Sequence, residues 1–262
     1  MARDRIIYYR DELNDDFAGT DIHTTVVGED FPFVRRSLVW RVTAFVIYRG
    51  VVTPIVWLTG RLVYGMRIRN RRALKGLKRR GFFLYGNHTQ MFMDACGPSL
   101  SVFPHAAYVV AGPDAVSIKG IRWLVQMLGG IPLPSTLRGY KPFQAALHYR
   151  VKQGGAIVLY PEAHIWPYYT GIRPFPDTSF AYPIAENAPC VASVTTFRRR
   201  KLFKNAAPCL TVTLSEPFWP DPTLPPKEAR KKMRDEVYEF MCRTANHPEN
   251  YEYVKYIKKT EA

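Results

Sequence analysis

Short apolar runs bounded by glycine or proline alternate with helical stretches from residue 81 onward, and that alternation restricts the chain to an α/β class. The expected strands are 81–87, 106–111, 131–134, 155–161, 190–197 and 209–215. The expected helices lie near 91–101, 118–128, 141–153 and 178–187, with a charged amphipathic helix at about 226–243. Such an order implies a mostly parallel central sheet flanked by helices on both faces. Proline-rich stretches at 167–183 and 217–226 read as loops.

Two of the apolar runs end on ionisable residues. Gly81-Phe82-Phe83-Leu84-Tyr85-Gly86 is followed by Asn87-His88, and Asp94 stands six positions after the histidine. Gly155-Ala156-Ile157-Val158-Leu159 is followed by Tyr160-Pro161-Glu162. Open α/β sheets place their chemistry outside the carboxyl ends of strands, so a base and two carboxylates are delivered to one sheet edge. An imidazole can take a proton from an attacking group and return one to a leaving group. It does so best when a carboxylate fixes its tautomer, the role open to Asp94. A histidine capping a helix beside a solvent-facing aspartate is the plain alternative for that pair, and a helix-capping carboxylate is the alternative for Glu162.

With 262 residues, 47% of them hydrophobic, the chain can bury a full core. Its formal net charge of +15 points to an anionic partner surface: phosphates, nucleic acid or acidic lipid headgroups. Cys96, Cys190, Cys209 and Cys242 are widely scattered, without metal-ligand spacing, and read as free thiols in a reducing compartment. No dense His/Asp spacing suggests a metal site, so no metal is expected. The first residues lack an apolar core of signal-peptide length, and the expected location is the cytoplasmic face of a membrane, peripheral or monotopic.

The membrane assignment comes from two adjoining segments. Ser37 to Gly65 is rich in Val, Ile, Trp, Phe and Tyr but is interrupted by Arg41, Arg49 and Arg61, with Gly50 and Pro54 breaking its middle. Only eleven uncharged residues separate Arg49 from Arg61, against the roughly twenty of a spanning helix. The expectation is therefore a bent helical pair lying in one leaflet, its arginines reaching for phosphates; a helical hairpin packed on the domain's own core is the alternative. Next comes Arg67 to Arg80, with eight basic residues and no acidic one, suited to acidic headgroups. Four segments follow: a polar lead-in at 1–30, a helical membrane anchor at 31–66, a catalytic domain at 67–225 and a helical tail at 226–262.

The quoted residues resemble the motifs of the glycerolipid acyltransferases typified by lysophosphatidic acid acyltransferase. Asn87-His88 and Asp94 match the first motif, with five residues between His and Asp where the family has four. Gly129-Gly130-Ile131-Pro132, after Gly120-Ile121-Arg122-Trp123-Leu124, is similar to the second. Tyr160-Pro161-Glu162-Ala163-His164-Ile165 stands for the third, Phe-Pro-Glu-Gly-Thr-Arg, and Ala188-Pro189-Cys190-Val191 for the fourth. Order and spacing match across roughly residues 35 to 215. The resemblance implies transfer of a fatty acyl group from a thioester, acyl-CoA or acyl carrier protein, to a hydroxyl of a lysophospholipid. The implied acceptor is 1-acylglycerol-3-phosphate, in phospholipid biosynthesis, and no cofactor is implied beyond the cosubstrate. His88 would be general base, Asp94 its orienter, and Glu162 would line the acceptor site.

The departures bear on the acceptor. Where the family has phosphate-binding arginines this chain has Ile165 and Ser135, and Ala163 replaces the third motif's glycine. Charge-assisted bidentate bonds carry phosphate recognition. Either Arg138, Lys141 or Arg173 compensates from nearby loops, or the acceptor is another lipid alcohol. His164 has three open roles: contacting acceptor phosphate, assisting proton transfer, or bonding a backbone carbonyl. Trp166, Tyr168 and Tyr169 form either a lid, a membrane-resting rim or satellite packing. Two other classes remain beside the enzyme. A catalytically silent lipid-binding protein would explain the altered motifs. A nucleic-acid binder would use Arg198-Arg199-Arg200-Lys201, but no nucleic-acid motif accompanies that charge, and no nucleic-acid partner is expected.

Overall fold

In the computed structural model, which describes residues 5–19, 24–117, 120–201, 203 and 206–259, a seven-stranded sheet forms the centre. Its strands are β2 (Arg67–Arg69), β3 (Phe82–Gly86), β4 (Ala107–Ala111), β5 (Gly130–Pro132), β6 (Ala156–Leu159), β7 (Cys190–Arg198) and β8 (Cys209–Leu214). They lie in the order β2-β8-β7-β3-β6-β4-β5, and every pairing is parallel except β7 with β8. All six strands expected from sequence are present. The first two residues of the helix expected at 118–128 lie outside the described residues; the rest contains α5 (Arg122–Met127).

Successive strand side chains point to opposite faces. Phe83 and Tyr85 therefore enter one core cluster, with Ile157, Leu159 and residues of α6 (Tyr140–Lys152) and α8 (Pro226–Ala245). Phe82 and Leu84 enter the other, with Val158, Val191 and residues of α2 (Thr53–Leu62) and α4 (Pro98–Ser101). Because both faces are covered, β3 and β6 are buried at every position and read as continuous apolar runs.

The N-terminal apolar segment is one helix, not the expected bent pair. α1 (Leu38–Phe45), a π-helical stretch (Val46–Val52) and α2 run together as 25 residues, Leu38–Leu62. At 1.5 Å per residue this is about 37 Å, long and apolar enough to cross a membrane. The physical reason is local. Pro54 has no N–H to donate, and the Thr53 N–H reaches back five residues to the Tyr48 carbonyl, which also accepts from Thr53 Oγ1 at 2.6 Å. The wide turn absorbs the imperfection without breaking the helix. Leu38, Val39, Val42, Phe45, Ile55, Trp57, Leu58 and Leu62 along it are exposed, an apolar surface of the kind that meets lipid. Arg49 departs from the expectation too: its Nη2 donates to the carbonyls of Pro104 (2.6 Å) and His105 (2.7 Å), tying the helix to the domain.

Part of the basic run Arg67–Arg80 is structural. β2 completes the sheet edge, and the 3₁₀ helix Arg71–Leu77 buries Ala73, Leu74 and Leu77 while its charged side chains stay outside. A second, two-stranded sheet joins β1 (Ile6–Tyr9) in parallel to β9 (Lys255–Lys258).

Candidate active site

β3 and β6 are adjacent and parallel, so the residues after them emerge side by side. Asn87 fixes the end of β3: its Oδ1 accepts from the Thr195 N–H at 2.8 Å and its Nδ2 donates to the Thr195 carbonyl at 3.0 Å, on β7. The chain then runs through His88, Thr89 and Gln90 in non-helical conformation before α3 (Met91–Cys96) begins. This stretch accommodates the five-residue spacing, and α3 is regular in its first turn. The Asp94 Oδ2 accepts the Thr89 and Gln90 N–H groups, each at 2.8 Å, and lies 2.8 Å from His88 Nδ1. Because the carboxylate accepts, Nδ1 carries the hydrogen and Nε2 is the ring's free lone pair.

The two side chains differ in access. Asp94 is 5% exposed, whereas the imidazole is 24% exposed. Burial raises the Asp94 carboxyl above its ordinary value, opposed by the His88 ring and the two backbone N–H groups. Tyr160 stacks on the imidazole with centroids 4.6 Å apart, and its hydroxyl donates to the Asp94 carbonyl at 2.5 Å. The tyrosine ring lies over Gly86, where a Cβ would sit 2.8 Å from Tyr160 Cε1, so a glycine is needed there.

Glu162 is brought to the same place but lies behind the histidine. Its Oε2 accepts the His88 N–H at 3.3 Å, its Oε1 accepts the Arg173 N–H at 3.3 Å, and the Arg173 Nη2 lies 3.5 Å from Oε2. Both side chains of this ion pair are withdrawn from solvent. Burial lifts the Glu162 carboxyl from 4.5 to about 7, with Arg173 and the two N–H donors opposing. The Arg173 guanidinium donates further to the carbonyls of Glu162, His164 and Glu12 and lies 4.9 Å from the Trp166 ring centroid. It is therefore part of the wall.

The remaining candidates are placed apart. Arg138 is 83% exposed and faces Glu29 at 3.8 Å. It follows β5, three strand spacings or about 14 Å along the sheet from β3. His164 is half-exposed, with Nδ1 3.5 Å from Asp16 Oδ2. Ser135 is occupied by the lead-in, its Oγ accepting from the Val27 N–H at 3.2 Å. Trp166 is fully buried, stacked on Tyr256 with Tyr9 tilted against it and Nε1 donating to the Asp15 carbonyl, so satellite packing is its role. Among the described residues no group of three or more His, Cys, Asp or Glu is arranged to hold a metal.

Sequence reasoning missed the cations that act on Tyr168. The Tyr168 N–H donates to the Thr89 carbonyl at 3.0 Å, which sets its ring beside Gln90. Burial and Tyr64 raise the Tyr168 hydroxyl, while Arg5, Gln90 and Arg200 pull it the other way. Arg200 reaches this area from the end of β7, bonding the carbonyls of Ala207 and Val63. Within the run Arg198–Lys201, Arg200 is the residue that acts on Tyr168; only its position after a strand signalled this.

In fold the chain is similar to the 1-acyl-sn-glycerophosphate (LPA) acyltransferase PlsC from Thermotoga maritima, with a TM-score of 0.55. The two are 16% identical, and the likeness covers 81% of this chain and 97% of that one. No protein-family model and no curated protein matches the chain.

Proposed function

We propose that this protein is a membrane-bound O-acyltransferase that moves a fatty acyl group from an acyl thioester, on coenzyme A or acyl carrier protein, to the hydroxyl of a lysophospholipid. The observation that carries the reading is the 2.8 Å contact of a partly exposed His88, through Nδ1, with a buried Asp94, which leaves Nε2 for the acceptor. The fold likeness and the exposed apolar helix support the same reading.

In the reaction the acceptor hydroxyl gives its proton to His88 Nε2 as its oxygen attacks the thioester carbonyl carbon. Collapse of the tetrahedral intermediate breaks the C–S bond, and the departing thiolate takes the proton back from Nε2. Asp94 holds the Nδ1–H tautomer and stabilises the transient imidazolium. Alcohol and thioester react directly once oriented, so no covalent enzyme intermediate is required. Glu162 and Arg173 act as positioning residues, holding the His88 backbone from behind. Arg200 and Arg5, by Tyr168, are assigned to the acceptor's phosphate in place of the absent motif arginines. 1-Acylglycerol-3-phosphate is the favoured acceptor, presented at the cytoplasmic face of the membrane.

The test is thiol release from acyl-CoA and acyl carrier protein against a panel of lysolipids. His88→Ala should lower turnover by about 10²- to 10⁴-fold with the thermal unfolding midpoint unchanged. Turnover retained in that variant, or no thiol release by the wild type with any acceptor, refutes the proposal; vesicle binding alone would then leave a lipid-binding protein.

A further inference from the structure

We infer a second anion-binding site at the opposite edge of the sheet, built to hold the phosphate of an acidic phospholipid between the N-terminal helix and the domain. A cavity of about 720 Å³ opens there. Its floor is the residues that enter the strands: Arg79 before β3, His105 before β4, Gly129 before β5 and Gly154 before β6. His88 and Glu162 follow the same strands at their far ends, so β3 alone, five residues, separates the two places by about 16 Å.

The cavity is cationic throughout. Arg35, Arg41 and Arg49 line one side, Lys78, Arg79 and Arg150 the other, and no aspartate or glutamate borders it. Among the described residues none of these six forms an ion pair. Aromatic rings and neutral acceptors hold the guanidinium groups instead. Arg35 lies over Trp40 at 4.5 Å and bonds Gln126; Arg150 lies over Tyr108 at 4.5 Å and bonds Gln153 and the Tyr108 hydroxyl. Such contacts orient a cation without neutralising it. Arg49 Nη1 and Arg150 Nε are buried without a hydrogen-bond partner, so neither guanidinium is fully satisfied within the chain. A phosphate oxygen is the acceptor best matched to the remaining guanidinium nitrogens.

The ligand must also be apolar beyond its charge. The same cavity is bordered by Leu38, Val42 and Phe45, which are exposed on the helix that meets lipid. A phosphodiester or phosphomonoester on acyl chains satisfies both walls, with its headgroup among the arginines and its tails along the helix. A soluble phosphate satisfies only one.

The experiment uses the full chain and measures binding to phosphatidylcholine vesicles with and without one-fifth phosphatidylglycerol, at fixed salt. Arg150→Gln and Lys152→Gln (the latter a lysine at the cavity rim) should each weaken binding to the anionic vesicles, Arg150→Gln by about tenfold or more. Lys227→Gln, an equal charge change on α8 outside both the cavity and the basic run, should alter it less than twofold. Inorganic phosphate and glycerol 3-phosphate should compete only at millimolar concentration. Equal losses for Lys227→Gln and Arg150→Gln would reduce the site to diffuse surface charge and overturn it. Unchanged binding in both cavity variants would overturn it as well. Soluble phosphates competing as well as the lipid would also overturn it, by transferring the cavity to a soluble organophosphate. The readout needs no turnover, so it is independent of the acyltransferase proposal.

Discussion

Glu162→Gln separates the electrostatics of the buried pair from its shape. In the native chain both carboxylate oxygens accept a backbone N–H, one from His88 and one from Arg173. Glutamine keeps the shape but offers one oxygen, so one of those buried donors faces an NH₂ group and loses its partner. That costs about 1–3 kcal/mol. The lost Arg173 attraction is already contained in the net upward shift of the carboxyl, and the guanidinium keeps the three carbonyls it reaches. The pH dependence identifies the group. Burial lifts the Glu162 carboxyl from 4.5 to about 7, so the folded state binds this proton more tightly than the unfolded chain does. Its stabilising effect is complete below pH 4.5 and is lost as the pH rises through about 7, a ceiling of about 3 kcal/mol from the 1.36 kcal/mol per unit of pKa. Asp94 is shifted in the same direction, but it is present in both proteins and cancels in their difference. The assay is denaturant unfolding in neutral detergent at pH 5, 6, 7 and 8, followed by tryptophan fluorescence, with buried Trp166 against Arg173 as a near reporter. Wild-type stability should fall with pH more steeply than that of the variant. Parallel curves would show that Glu162 does not titrate in this range and would refute the account of the wall.

Asp94→Asn should reduce turnover by at least about 100-fold, because the amide no longer enforces the Nδ1–H tautomer; turnover within threefold of wild type would remove Asp94 from the mechanism. Arg200→Ala should raise the Michaelis constant for a phosphate-bearing lysolipid several-fold while leaving that for the thioester unchanged. An equal rise in both constants would argue against a phosphate contact. Val39→Glu with Phe45→Glu, both on the exposed face of the helix, should reduce sedimentation with neutral liposomes without altering the circular dichroism spectrum. Undiminished sedimentation would dismiss that face as the anchor.

The central sheet was legible because β3 and β6 are buried on both faces, which forces uninterrupted apolar runs bounded by turn residues. The short sheet was not. β1 and β9 pair residues near the two ends of the chain, Ile6 with Lys255, and pairing over such a separation leaves no local pattern. β2 was hidden for another reason: in Arg67-Ile68-Arg69 only the middle residue turns inward, so charge dominates the composition of an edge strand. The helix was read as broken because Gly50 and Pro54 disfavour a continuous α-helix, and the register change that rescues it becomes visible only once the Thr53 N–H finds the Tyr48 carbonyl.

The site divides along the same line between local and distant causes. His88 and Asp94 are six residues apart, and their contact follows from a strand ending, an extended step and a helix start, all readable in sequence. Arg173 is eleven residues from Glu162 in a loop without regular structure, and nothing in the sequence distinguishes a guanidinium that clamps a substrate from one that braces the wall. The decision came from elsewhere in the chain. The lead-in supplies the Glu12 carbonyl to Arg173 and the Asp15 carbonyl to Trp166, while Tyr256 of β9 stacks over that tryptophan. Together they dry the loop and turn Arg173 inward. With that cation spent, the proposed phosphate contact falls to Arg200, whose own guanidinium also reaches the Ala207 and Val63 carbonyls. Mutating Arg200 therefore tests the acceptor side, whereas mutating Arg173 would collapse the support beneath the histidine and confuse binding with folding.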